Sequence, residues 1–193
     1  MRTVRTTHVV NQMDSQATLP AHEGDTPAND LSQHDQAQQH FRSLERMYMS
    51  APINLLLPPR IAIAHASAEV HLEMRPEYFH SAGAAHGSVL FKLLDDSAFF
   101  AANSLEQTFV LLTAAFTTYL TRPVSQGVIR TCGKVVNQTR TQFLAESIAY
   151  DNKGRELGRG NGIFVRARIP LMETTGYSPA WKPPLAGTTP APT

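Results

Sequence analysis

Two stretches of the chain carry residue types suited to chemistry. His86-Gly87-Ser88 opens an apolar helical pattern, and Asp95-Asp96 stands two turns further along it. A Gly-Ser pair at a helix start leaves backbone N–H groups unpaired and aimed outward, where the macrodipole favours negative charge. A carboxylate inside an apolar helix is costly to bury without a partner. Donors able to hold a developing oxyanion, and a carboxylate able to attack or to take a proton from water, are the parts of acyl chemistry. Asp95 and Asp96 flank the apolar stripe on opposite sides. One of them faces a cleft and the other is a hydrogen-bonded structural or interface acid. On the residues alone they remain rivals. His65 and His71 lack metal-ligand company, and Asp95, Asp96 and His86 match no ligand spacing, so neither a metal nor a cofactor is expected.

These residues need a frame. Leu90, Leu93, Leu94, Ser97 and Ala101 recur at helical spacing and predict the buried stripe of a helix from about Gly87 to Ala102. Before it, Arg60 to Arg75 alternates, with Val70, Leu72 and Met74 on one face and Glu69, His71 and Glu73 on the other. That is the pattern of one half-buried strand. After it come four strand patterns, Phe109 to Leu120, Gly127 to Asn137, Thr141 to Tyr150 and Arg155 to Arg168. Asn152 to Gly154 is a hairpin signal between the last two. Upstream, Phe41, Leu44, Met47 and Tyr48 mark a short amphipathic helix from His40 that ends near Pro52. The apolar run Ile53 to Leu57, closed by Pro58-Pro59, reads as a lid or packing segment. The order is α+β. A curved antiparallel sheet wrapped around one long helix satisfies it economically and leaves sheet edges to be paired.

With 193 residues the chain supports one domain plus tails. Residues 1–36 predict a disordered or loosely docked tail, 37–59 the helix and packing segment, 60–170 the domain, and 171–193 an extended Pro-rich tail in which only Trp181 is able to dock. The formal net charge of +1 argues against nucleic acid as a partner. The apolar runs are too short to span a bilayer, and a cytoplasmic location is expected despite Arg2 and Arg5 near the start. The single cysteine, Cys132, reads as a small buried hydrophobe.

The ordered set of motifs over Arg60 to Arg168 resembles the hotdog-fold acyl-CoA thioesterases of the phenylacetate-pathway (PaaI-like) branch. The carrying residues are His86-Gly87-Ser88, where that family usually has His-Gly-Gly, and Asp95 nine positions beyond His86. Thr118 to Pro123, Asn137 to Arg140 and the Asp151 to Gly154 turn fall at matching places. The resemblance implies a hotdog fold and an acyl-CoA substrate. It makes the Gly87 N–H the oxyanion donor and Asp95 the nucleophile or general base. It places Thr113 where a hydroxyl holds the water or orients the carboxylate. His80 stands where many relatives have Asn, and Ser88 replaces the second Gly. His86 is expected to fix the loop, and Ser88 to shape the pocket mouth. Arg122 and Arg140 are the first candidates for the coenzyme phosphates, Arg166 and Arg168 the second, and the acyl group would lie against Phe91 and Phe99. A homodimer or homotetramer with sites built from both subunits is implied. The alternatives are a catalytically weak module that binds acyl-CoA or another acyl ligand, and a purely structural dimer.

Overall fold

The computed structural model describes residues 27–178. Its centre is helix α3, Gly87–Asn103, which follows α1, Pro27–Ser50, and the single turn α2, Ile53–Leu56. Six strands complete the fold: β1 Arg60–Ala64, β2 Ser67–Glu73, β3 Phe109–Leu120, β4 Val128–Gln138, β5 Gln142–Tyr150 and β6 Glu156–Pro170. They form one antiparallel sheet in the order β1-β2-β4-β5-β6-β3. The α+β architecture is that of a hotdog, a sheet around one long helix.

The predicted stripe on α3 is the buried face. Leu93, Leu94, Ser97 and Ala101 are all at most 1% exposed, and they pack on the inner residues of β2, β4 and β5. Ser97 is tolerated in this apolar setting because its hydroxyl meets that of Ser147 on β5 at 2.6 Å. Thr131 on β4 likewise bonds the Leu93 carbonyl at 2.9 Å. Between these ties the helix comes so close to the sheet that a Cβ on Gly133 would lie 2.1 Å from the Ser97 carbonyl oxygen. Glycine is the residue that permits this approach.

Three expectations are corrected. The run from Arg60 to Arg75 is two strands, folded at His65-Ala66 so that Ala64 pairs Ser67. Ala66 makes the turn at φ 55°, a conformation that alanine signals poorly in a sequence. The first helix begins at Pro27, well before His40, so residues 27–36 of the expected tail are helical. Residues 171–178 of the expected extended tail are docked: Leu171 and Tyr177 are buried, and the Tyr177 hydroxyl meets His40 Nδ1 at 2.8 Å. Trp181, Arg2 and Arg5 lie outside the described residues.

The two edges of the sheet differ. At β1, Glu45 of α1 accepts from the Ile63 N–H and Arg42 donates to the Ile63 carbonyl, so side chains occupy the outward hydrogen-bonding groups of Ile63. At the other end β3 pairs, among the described residues, only with β6, and Leu112 (51%) and Tyr119 (58%) stand exposed on it. The described residues contain no helix long and apolar enough to cross a membrane.

Candidate active site

The helix mouth forms as its residue types dictate. His86 is the N-cap in extended backbone, its Nδ1 receiving the Ser88 N–H at 3.2 Å and lying 2.7 Å from Ser88 Oγ. That is the loop-fixing role expected of His86, with Ser88 as its partner. Gly87 is the first helical residue, so its N–H has no acceptor within the helix. A side chain there would press on Leu120, with a Cβ 3.2 Å from Leu120 Cδ1.

Gly87 opens into a cavity of about 290 Å³ shared with His80, Leu120 and Arg122. His80 Nδ1 accepts from the Ala82 N–H at 3.1 Å, which holds the ring at the loop surface. His86 and Ser88 face a neighbouring cavity with Leu56, Tyr78 and Phe79. Arg140 stands apart from all of these in the β4–β5 turn, where its carbonyl accepts from Arg166. Arg166 is itself committed to an ion pair with Glu106, whose carboxylate also accepts from the Thr108 and Phe109 N–H groups. That leaves it little freedom to bind a phosphate.

Asp95 and Thr113 meet in a third cavity of about 400 Å³, walled by Met47, Ile53, Phe99, Phe100, Val110 and Leu112. Thr113 Oγ1 lies 3.2 and 3.3 Å from the two Asp95 oxygens. Burial among apolar walls pushes the Asp95 carboxyl up to about 6, against the Thr113 hydrogen bond and the Lys92 charge, while the Asp96 charge adds to the rise. Asp96 points elsewhere, accepting from Tyr48 Oη at 2.6 Å and from Lys92. Both acids border the cavity and differ in their partners, Thr113 for Asp95 and Tyr48 with Lys92 for Asp96. Phe99 lines the cavity, whereas Phe91 packs edge-on against Phe116 with ring centres 5.7 Å apart.

Sequence reasoning missed the wall given by α1 and α2. Met47, Tyr48, Ile53 and Asn54 line the Asp95 cavity, yet their pattern signalled only a core-facing helix and a packing segment. The structure also sets a distance. Gly87 and Asp95 are eight residues apart on one helix, about 12 Å along its axis. The donor and the carboxylate of one protomer therefore cannot address the same carbonyl.

This fold and this carboxylate site together define a hotdog domain. A model of the thioesterase superfamily matches residues 82–157, and the hotdog fold is shared with solved structures of PaaI. Among solved structures, PaaI of the E. coli phenylacetic acid degradation operon is 18% identical with a TM-score of 0.64, covering 69% of this chain and 97% of its own. A thioesterase family protein from Silicibacter pomeroyi is 22% identical with a TM-score of 0.59, covering 67% and 96%. A mutant of the phenylacetic acid degradation protein PaaI from Thermus thermophilus is 20% identical with a TM-score of 0.56, covering 61% and 100%. At such identities the likeness is one of fold. No curated protein matches the sequence.

Proposed function

We propose that this chain is an acyl-CoA thioesterase, using water to convert an acyl-CoA into the free acid and CoA. The observation that carries the reading is Asp95, a carboxylate oriented by Thr113 in the wall of an apolar cavity and held at unusually high basicity. Such a group serves as nucleophile toward the thioester carbonyl or as general base toward water. The Gly87 N–H, at a helix mouth, suits the thioester oxygen as charge develops on it. Since 12 Å separates the two within a helix, the working site takes Gly87 from one protomer and Asp95 from its partner. The open β3 edge supports a homodimer, or a tetramer built from dimers. Arg122 lines one cavity with Gly87 and His80, which supports it as the cation for a coenzyme phosphate. Nucleic acid and membrane have no part in this reading, and the compartment is the cytoplasm.

A second reading, a module that binds acyl-CoA or another acyl ligand with little turnover, is favoured by one observation. His80 is tied to Ala82 at the loop surface where an amide donor is usual in the family resembled. Thiol release across a panel of acyl-CoAs, beside direct binding of the same compounds, separates the two. Turnover abolished by Asp95→Asn supports the enzyme, and saturable binding without release supports the module.

A further inference from the structure

Tyr48 reaches α3 from outside the stretch that the superfamily model matches, and it does so at the carboxylate the proposed reaction does not use. Its hydroxyl donates to Asp96 Oδ2, and the Lys92 ammonium donates to the same oxygen while lying 5.1 Å from the centre of the Tyr48 ring. Lys92 stands three residues before Asp95 and four before Asp96, so on a helix both carboxylates are within its reach. The ammonium bonds Asp96. All four residues border one cavity.

A single cation between two carboxylates is a choice the surroundings decide. An ammonium on Asp95 would occupy the lone pairs that attack a carbonyl or accept water's proton, and would lower that group's basicity. The Tyr48 hydroxyl and ring tip the choice: the first supports the Asp96 anion and the second receives the cation. Burial holds the Tyr48 phenol well above its ordinary range, so the hydroxyl keeps its proton and remains a donor.

We propose that Tyr48 and Asp96 are positioning residues that park the Lys92 ammonium away from Asp95, leaving the reacting carboxylate to Thr113 alone. This inference rests on Asp95 being that carboxylate. The groups facing Asp95 are Lys92 and Asp96 from α3 and Thr113 from β3, and Tyr48 of α1 acts through the first two. The helix added before the hotdog domain thereby becomes part of its site.

The test is the pH dependence of kcat/KM for thiol release from the best acyl-CoA of the panel. Asp96→Asn leaves Lys92 with Asp95 as its only neighbouring carboxylate. The acid limb should then move down by about one pH unit, and the plateau should fall about tenfold. Tyr48→Phe should move the limb the same way by less, and it carries the test if Asp96→Asn does not fold. Removing the cation as well, in Asp96→Asn with Lys92→Met, should return the limb upward and restore most of the plateau. Loss of the Asp96 charge by itself also lowers the limb in Asp96→Asn, so Tyr48→Phe, which keeps that charge, is the deciding variant: a purely structural knot would lower its folded fraction and leave its limb unmoved. An unmoved limb in Tyr48→Phe, or no rescue in the double variant, overturns the proposal. Asp95→Asn is measured alongside. Retained turnover there overturns the reading of Asp95 and this inference with it, whereas an inactive Asp95→Asn beside an unmoved Tyr48→Phe limb overturns the inference alone.

Discussion

Asp95 is a carboxylate kept where folding alone would not put it. Its pKa is raised from 3.8 to about 6, so the folded state binds its proton more tightly than the unfolded chain does. Stability attributable to this group is therefore full below about pH 4, and is lost as pH rises toward 6. Asp95→Asn should reduce turnover by at least about 100-fold with little change in substrate affinity. The same substitution should stabilise the protein near neutral pH by about 1–2 kcal/mol, a figure discounted for partial exposure, with no gain near pH 3. Urea denaturation at the two pH values, beside thiol-release assays, checks both halves. Thr113→Ala should lie between, since it removes orientation and not the proton acceptor. At this scale the sequence was legible where residues are close together: His86-Gly87-Ser88 and the Asp95-Asp96 pair announce themselves by type and spacing. Tyr48 did not, because its helical spacing explains the buried ring and says nothing of what its hydroxyl meets 48 positions away.

Among the elements, α3 carries the site only because β4 lets it sit so near. Gly133→Ala would drive a methyl group into the Ser97 carbonyl, a clash with backbone that no rotamer relieves. The expected loss is about 1–3 kcal/mol or more, read as a lower urea midpoint with unchanged slope. The docked end of the chain offers a milder case. Tyr177→Phe leaves the buried His40 Nδ1 without its partner and should cost about 1 kcal/mol in the same measurement. The central helix and the four strands after it were legible because their apolar periods are long and unbroken. The β1–β2 hairpin was not, since alternation continues through the turn and Ala66 lacks the glycine or asparagine that normally betrays positive φ. The start of α1 was hidden for the opposite reason: its first turns are polar and show no period.

For the whole molecule, β3 is decisive. Twelve residues make an edge about 40 Å long, with exposed Leu112 and Tyr119 beside unpaired backbone groups. Sedimentation equilibrium at micromolar concentration should show dimers or larger, and dilution that dissociates them should extinguish turnover, because neither protomer keeps both Gly87 and Asp95 at one carbonyl. A folded, fully active monomer would contradict this. That a sheet of this kind has edges was readable from the sequence, but which edge stays open was not. It depends on Arg42 and Glu45 of α1 reaching Ile63, a contact that no local pattern encodes.

That contact has a consequence for growth. A sheet with two usable edges adds copies head to tail without limit and ends as a filament. Here α1 has already taken the Ile63 groups of the far edge with its own side chains, so among the described residues β3 is the more open edge for a second copy. Two-fold pairing then consumes both open edges at once, and edge-to-edge addition stops at two. Reversing Glu45 and Arg42 to residues that cannot reach Ile63 would expose the second edge. It would turn a self-limiting assembly into one that polymerises.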